Sequence, residues 1–203
     1  NTVTIVATDD GADGTDATAT MTTALTKAPA EMTVNLSGFG NNNATATNDV
    51  DILASVAAAS DSAADTVHVV LGTATAASGA TASATGSADV ELSFTASDAE
   101  TITIKSQGGA NTIAILDAAD LTTLTLTGDK ALTIETINNN TAMTSLDASG
   151  MTAALIVSAN GSTTAGTYTL TGKADTLTGS TKADTITGGA GIDTITGGTG
   201  GDT

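Results

Sequence analysis

The chain has no cysteine, no tryptophan and no arginine. Without cysteine there is no disulfide framework, no thiolate metal site and no thiol nucleophile. Five lysines stand against 22 carboxylates, a formal charge of −17 over 203 residues. Such a chain has no electrostatic footprint for nucleic acid or an anionic membrane surface. One histidine, His68, excludes a His-rich metal site and a His dyad. No long apolar run exists, so no segment reads as a transmembrane helix. There is one proline, and the aromatics are Phe39, Phe94 and Tyr168. The start shows neither an initiator Met nor a leader pattern. It opens on strand character at Asn1 and reads as a piece of a longer protein.

What the chain has instead is 44 Thr, 38 Ala and 22 Gly. Large apolar side chains are few, so a thick globular core cannot be filled. Thin layers need fewer of them, and Thr suits a pleated surface because its Cβ is branched. An all-β fold is expected, rather than an α/β enzyme or a disordered chain.

Alternating strands are expected at Thr2–Val6, Met32–Leu36, Thr66–Leu71 and Asp89–Thr95. Residues 49–60 form the one helical candidate. Residues 73–88 carry no large apolar residue and read as a long loop or a weak strand pair. From residue 98 apolar pairs recur at steady intervals: Ile102/Ile104, Ile113/Ile115, Leu124/Leu126, Leu132/Ile134, Leu155/Val157 and Tyr168/Leu170. Leu116–Thr122 is also echoed by Leu146–Thr152. Short strands with no crossover helix fit a parallel β-solenoid or a sandwich. The expected organisation is a β-rich part over 1–97, a β-ladder over 98–170 and a repeat segment over 171–203.

Several acidic groups are candidate calcium ligands. Asp9, Asp10, Asp13 and Asp16 share one Gly-bearing loop, which fits either a calcium loop or a solvated acidic turn. Asp98/Glu100 and Asp117/Asp120 are weaker pairs, with turn capping as the ordinary role. His68, on a strand between valines, reads as a surface or half-buried residue. The Thr-x-Thr runs at 101–103, 123–127, 176–178, 185–187 and 194–196 fit either a solvated strand face or a flat water-ordering array. No G-x-S-x-G elbow exists, and nothing ties a nucleophile to a base, so no enzyme activity is expected.

The strongest signal has a period of nine. Asp175, Asp184, Asp193 and Asp202 share that spacing, and Leu177, Ile186 and Ile195 each follow an Asp by two. Gly188–Thr196 matches G-G-x-G-x-D-x-U-x at every defined position, and Gly197–Asp202 begins another copy. Glycine permits positive φ in the turn, Asp supplies hard oxygen, and the apolar residue enters a thin core. One nonapeptide cannot bury that residue alone, so copies must stack. The segment resembles the RTX family of calcium-binding repeat proteins.

That resemblance implies a parallel β-roll with two nonapeptides per turn, so that every second loop is equivalent. Asp175 is then paired with Asp193, and Asp184 with Asp202, with carbonyls of Gly189 and Gly191 completing Ca²⁺ sites. Lys173 and Lys182 occupy loop positions where Gly is expected, and are expected to leave the first sites weak or empty. The Thr/Leu-rich run from 121 to 150 is similar to RTX-type bacterial surface-layer (S-layer) proteins. This implies an extracellular, self-associating lattice protein, exported by a type I system, with polysaccharide anchoring through a region outside this sequence. An RTX adhesin or ice-binding segment, and the repeat region of a secreted RTX hydrolase, are the alternatives.

Overall fold

The computed structural model describes residues 2–6, 23–28, 31–37, 52–58, 66–71, 92–96 and 99–203. The candidate ligands Asp9, Asp10, Asp13 and Asp16, the segment 73–88 and Asp98 lie outside the described residues. Among the described residues there are sixteen strands: β1 Thr2–Val6, β2 Thr23–Ala28, β3 Glu31–Ser37, β4 Ile52–Ala58, β5 Thr66–Leu71, β6 Leu92–Thr95, β7 Thr101–Ser106 and β8 Asn111–Asp117. They continue with β9 Thr123–Gly128, β10 Leu132–Asn138, β11 Ser145–Met151, β12 Leu155–Ser158, β13 Thr167–Thr169, β14 Thr176–Thr178, β15 Thr185–Thr187 and β16 Thr194–Thr196.

Odd strands form one eight-stranded sheet in sequence order, and even strands form the other. Every pairing within them is parallel. Each turn of chain therefore lays one strand on each sheet, and the next turn stacks beside it. This is an all-β parallel solenoid, and no helix occurs among the described residues.

Alternation sets which residues enter the space between the sheets. β5 buries Val67, Val69 and Leu71, and β7 buries Ile102, Ile104 and Ser106. Parallel register stacks these into a column: Val67, Ile102, Leu124, Leu146, Tyr168 and Ile186. The even sheet answers with Ile113, Ile134, Val157, Leu177 and Ile195. Both columns through Leu177 join one apolar core. Full burial of one such side chain contributes about 1.5–3 kcal/mol.

The odd-sheet column also shows that the turns shorten along the chain, from 35 residues between Val67 and Ile102 to 22 and then 18. Hydrogen bonds between equivalent positions of adjacent turns, such as Thr144 to Thr122, span 22 positions before Tyr168, matching the steps from Ile102 to Leu124, Leu146 and Tyr168. Beyond it the span is 18, as from Asp175 to Asp193, matching the step from Tyr168 to Ile186. The coil narrows at Tyr168. The echo of Leu116–Thr122 in Leu146–Thr152 does not mark equivalent positions, because Leu116 lies on the even sheet and Leu146 on the odd one.

The helix expected within 49–60 is instead β4. It pairs with β2 on one side and β6 on the other. A helix there would leave a gap in the even sheet, and strand pairing overrides the helix preference of its alanines. The sequence reading assigned no strand to β2, whose Thr-Ala-Leu-Thr-Lys-Ala carries a single large apolar residue.

Candidate calcium centre

At each end of a strand the chain must turn a corner, and buried backbone groups there need partners. One corner can be followed through successive turns, where it is occupied by Asn140, Ser162, Ser180 and Gly198. The Asn140 amide donates to the carbonyls of Ala118 (3.0 Å) and Leu121 (2.7 Å), and its oxygen accepts from the Met143 N–H. Ser162 Oγ donates to the Met143 carbonyl at 3.1 Å and accepts from the Thr164 N–H. Ser180 Oγ accepts from the Lys182 N–H at 3.1 Å and donates to Asp184 at 2.7 Å. Gly198 offers no side chain. Its φ is +102°.

The opposite corner repeats the change. Thr171 Oγ1 accepts from the Lys173 N–H and donates to Asp175 at 2.9 Å. One turn later, Gly189 holds φ +83° and Gly191 φ +123°. A Cβ on Gly189 would run into the Thr171 carbonyl, and one on Gly191 into the Lys173 carbonyl. Gly198 and Gly200 bear the same relation to Ser180 and Lys182. Among the described residues, the one non-glycine with positive φ is Asn139, so Thr171, Lys173, Ser180 and Lys182 are not left-handed.

The four repeat carboxylates stack in the pairs that the resemblance implies. The Asp175 N–H donates to Asp193 at 3.0 Å, and the Asp184 N–H donates to Asp202 at 2.9 Å. Their surroundings differ sharply. Asp175 is 2% exposed and accepts from the N–H groups of Leu155 and Thr171 and from the Thr171 hydroxyl. Asp184 is 1% exposed and accepts from the N–H groups of Gly166 and Ser180 and from the Ser180 hydroxyl. Asp193 and Asp202 each accept one hydrogen bond, and they are half-buried and exposed respectively. Gly188 and Gly197 leave room for these two carboxylates, since a Cβ on either would collide with the carboxylate oxygen Oδ2.

Among the described residues, no three His, Cys, Asp or Glu side chains cluster as a ligand set. A metal here depends on one carboxylate per loop plus backbone carbonyls. That all-oxygen set on glycine turns suits Ca²⁺. The residues of 188–203 fit the ion: their carboxylates keep an oxygen free of protein donors, and their turns are glycine-shaped. Bound calcium supplies positive charge where the carboxylates stack.

Tyr168, where the coil narrows, closes the inside of the Ser180 corner. It is fully buried, its ring occupies the space a Cβ on Gly166 would need, and its Oη completes no hydrogen bond. Burial first and the Asp184 carboxylate second push the phenol pKa up to about 12. Away from the repeats, Asp117 accepts from Asn139 of the next turn at 2.7 Å, a turn-fixing contact. His68 is half-buried on β5, on the opposite face from Val67 and Val69, between Thr33 and Thr103 in register.

Geometry alone defines a parallel β-solenoid with glycine-cornered, carboxylate-bearing turns at one end. Residues 171–203 match the family model of the RTX calcium-binding nonapeptide repeat, in four copies. The chain thus carries RTX repeats, which bind calcium and are typical of secreted extracellular proteins. No curated protein and no solved structure matches the chain.

Proposed function

We propose that this chain is a structural, non-catalytic module of an extracellular surface-layer protein, whose repeat turns order on binding calcium and whose copies then assemble into a lattice. The observation that carries the calcium part is the two glycine-cornered loops, one at each corner, in which Asp193 and Asp202 keep an oxygen free of protein donors. The charge of −17 supplies the coupling. Without cations, self-repulsion opposes close approach between copies. Each bound Ca²⁺ removes part of that repulsion and links folding to association. Export by a type I system and attachment to polysaccharide through another region belong to the same reading.

Electron microscopy of the purified chain in EGTA and in calcium tests the proposal. Ordered sheets in calcium alone support it. Monomers that are equally folded in both conditions would falsify it.

One observation favours the adhesin or ice-binding alternative. Thr66, Thr101, Thr123, Thr167 and Thr185 stand in one rank across the odd sheet, interrupted by Ser145. A neighbouring rank holds Thr103, Thr125, Thr169 and Thr187, interrupted by Asp147. Thermal hysteresis without sheet formation would favour that alternative. In the hydrolase alternative, the catalytic residues stand outside this sequence.

A further inference from the structure

The four repeats are not equivalent, and the difference lies in what closes each corner. In the first two, a hydroxyl takes the central position of the turn. Thr171 Oγ1 accepts from the N–H two residues on and donates to the Asp four residues on; Ser180 Oγ does the same. The carboxylates they reach are buried, and each accepts from two backbone N–H groups and one hydroxyl. In such a carboxylate both oxygens are already occupied by fixed protein donors. In the last two repeats glycine replaces the hydroxyl residue, and each Asp keeps one oxygen without a protein donor.

We propose that Asp175 and Asp184 are hydrogen-bonded posts rather than calcium ligands, and that Thr171 and Ser180 replace the ion in their turns. The solenoid through Asp184 then folds without calcium and serves as a preformed platform. It presents the N–H groups of Asp175 and Asp184, and the carbonyls of Thr171, Lys173, Ser180 and Lys182, to the turns that follow. Calcium orders residues 188–203 onto this surface. Lys173 and Lys182 fit the assignment: they stand at the loop positions of Gly191 and Gly200, which are left-handed, and are not left-handed themselves. The inference rests on the calcium reading above, and divides it between two kinds of turn.

Hydrogen exchange on the whole 203-residue chain, in EGTA and in calcium, tests the division. In EGTA the amides of β13 and β14 are expected to stay protected while those of β16 exchange. Added calcium is expected to slow the β16 amides by about tenfold or more. Loss of protection in β13 and β14 together with β16 on calcium removal overturns the proposal. A second measurement asks for a gain. Thr171→Gly with Lys173→Gly restores the glycine turn, and the variant is expected to take up more calcium per chain by calorimetry than the unaltered protein. Unchanged uptake by a folded double variant also overturns the proposal. If the unaltered chain takes up no calcium, the calcium reading itself fails, and the division falls with it.

Discussion

The long turns before Tyr168 and the short turns after it solve one problem with different means. Both must reverse the chain at each corner without leaving backbone groups unpaired. The longer turns have side chains to spare, and Asn140 and Ser162 satisfy carbonyls and N–H groups from within. The longer turns also bury two or three apolar residues per strand, such as Ile102 and Ile104 on β7. The short turns have strands of three residues with one inward side chain, such as Tyr168 on β13 and Leu177 on β14. A shorter turn therefore has less apolar surface to stabilise it, and it relies on the corner. The comparison teaches that a turn with fewer residues leans on what closes its corner, a hydroxyl at Thr171 and Ser180 and a left-handed glycine at Gly189 and Gly198.

Four changes would break or sharpen that comparison. The largest effect is expected in the core of the long turns. Leu124→Ala should cost about 2–5 kcal/mol in urea unfolding, because Leu124 is fully buried. Ile195→Ala, at a residue 43% exposed, should cost less than about 1 kcal/mol. Equal losses would mean that Ile195 is as well buried as Leu124. Next, Asn140→Ala removes the partner of two carbonyls and one N–H in a buried corner. It should cost about 1–3 kcal/mol with or without calcium, and a calcium-dependent cost would contradict side-chain closure of that turn.

An effect of similar size, confined to the calcium-bound turn, is expected at Gly189, whose φ is +83° beside the Thr171 carbonyl. Gly189→Ala strains the turn by about 1–3 kcal/mol. Its effect should be read in calcium affinity and leave the unfolding midpoint of the calcium-free protein unchanged. The smallest concerns Tyr168, at the narrowing. It is the single tyrosine, so absorbance near the tyrosinate band reports it alone. Its pKa is raised from 10.0 to about 12, so the unfolded chain releases the phenol proton first as pH rises. The contribution of the buried phenol is intact below pH 10 and is lost as pH climbs through about 12. A spectroscopic midpoint at the unshifted value in the folded protein would mean that the junction is open to water.

Much of this architecture was legible in residue patterns. Alternation in Thr66–Leu71, Thr101–Ser106 and Thr123–Gly128 announced strands, and the nine-residue period announced stacked calcium turns. The length of the long turn was hidden because successive apolar groups belong to alternate sheets. Spacing between neighbours therefore measures half a turn, and the halves differ in length. β4 misled because alanine favours a helix until flanking strands compete for it. In the repeats, the lysines were the visible departures from glycine. The informative residues were Thr171 and Ser180, each a hydroxyl four positions before an Asp. That signal is present in the sequence, yet its meaning depends on a turn that brings the hydroxyl back to the carboxylate.

The taper at Tyr168 has a mechanical consequence. Six residue pairs join β7 to β9 in register, and three join β13 to β15. Pulled at its ends, such a rod carries the same load through half as many backbone links in its thin section. It peels there first, one short rung after another.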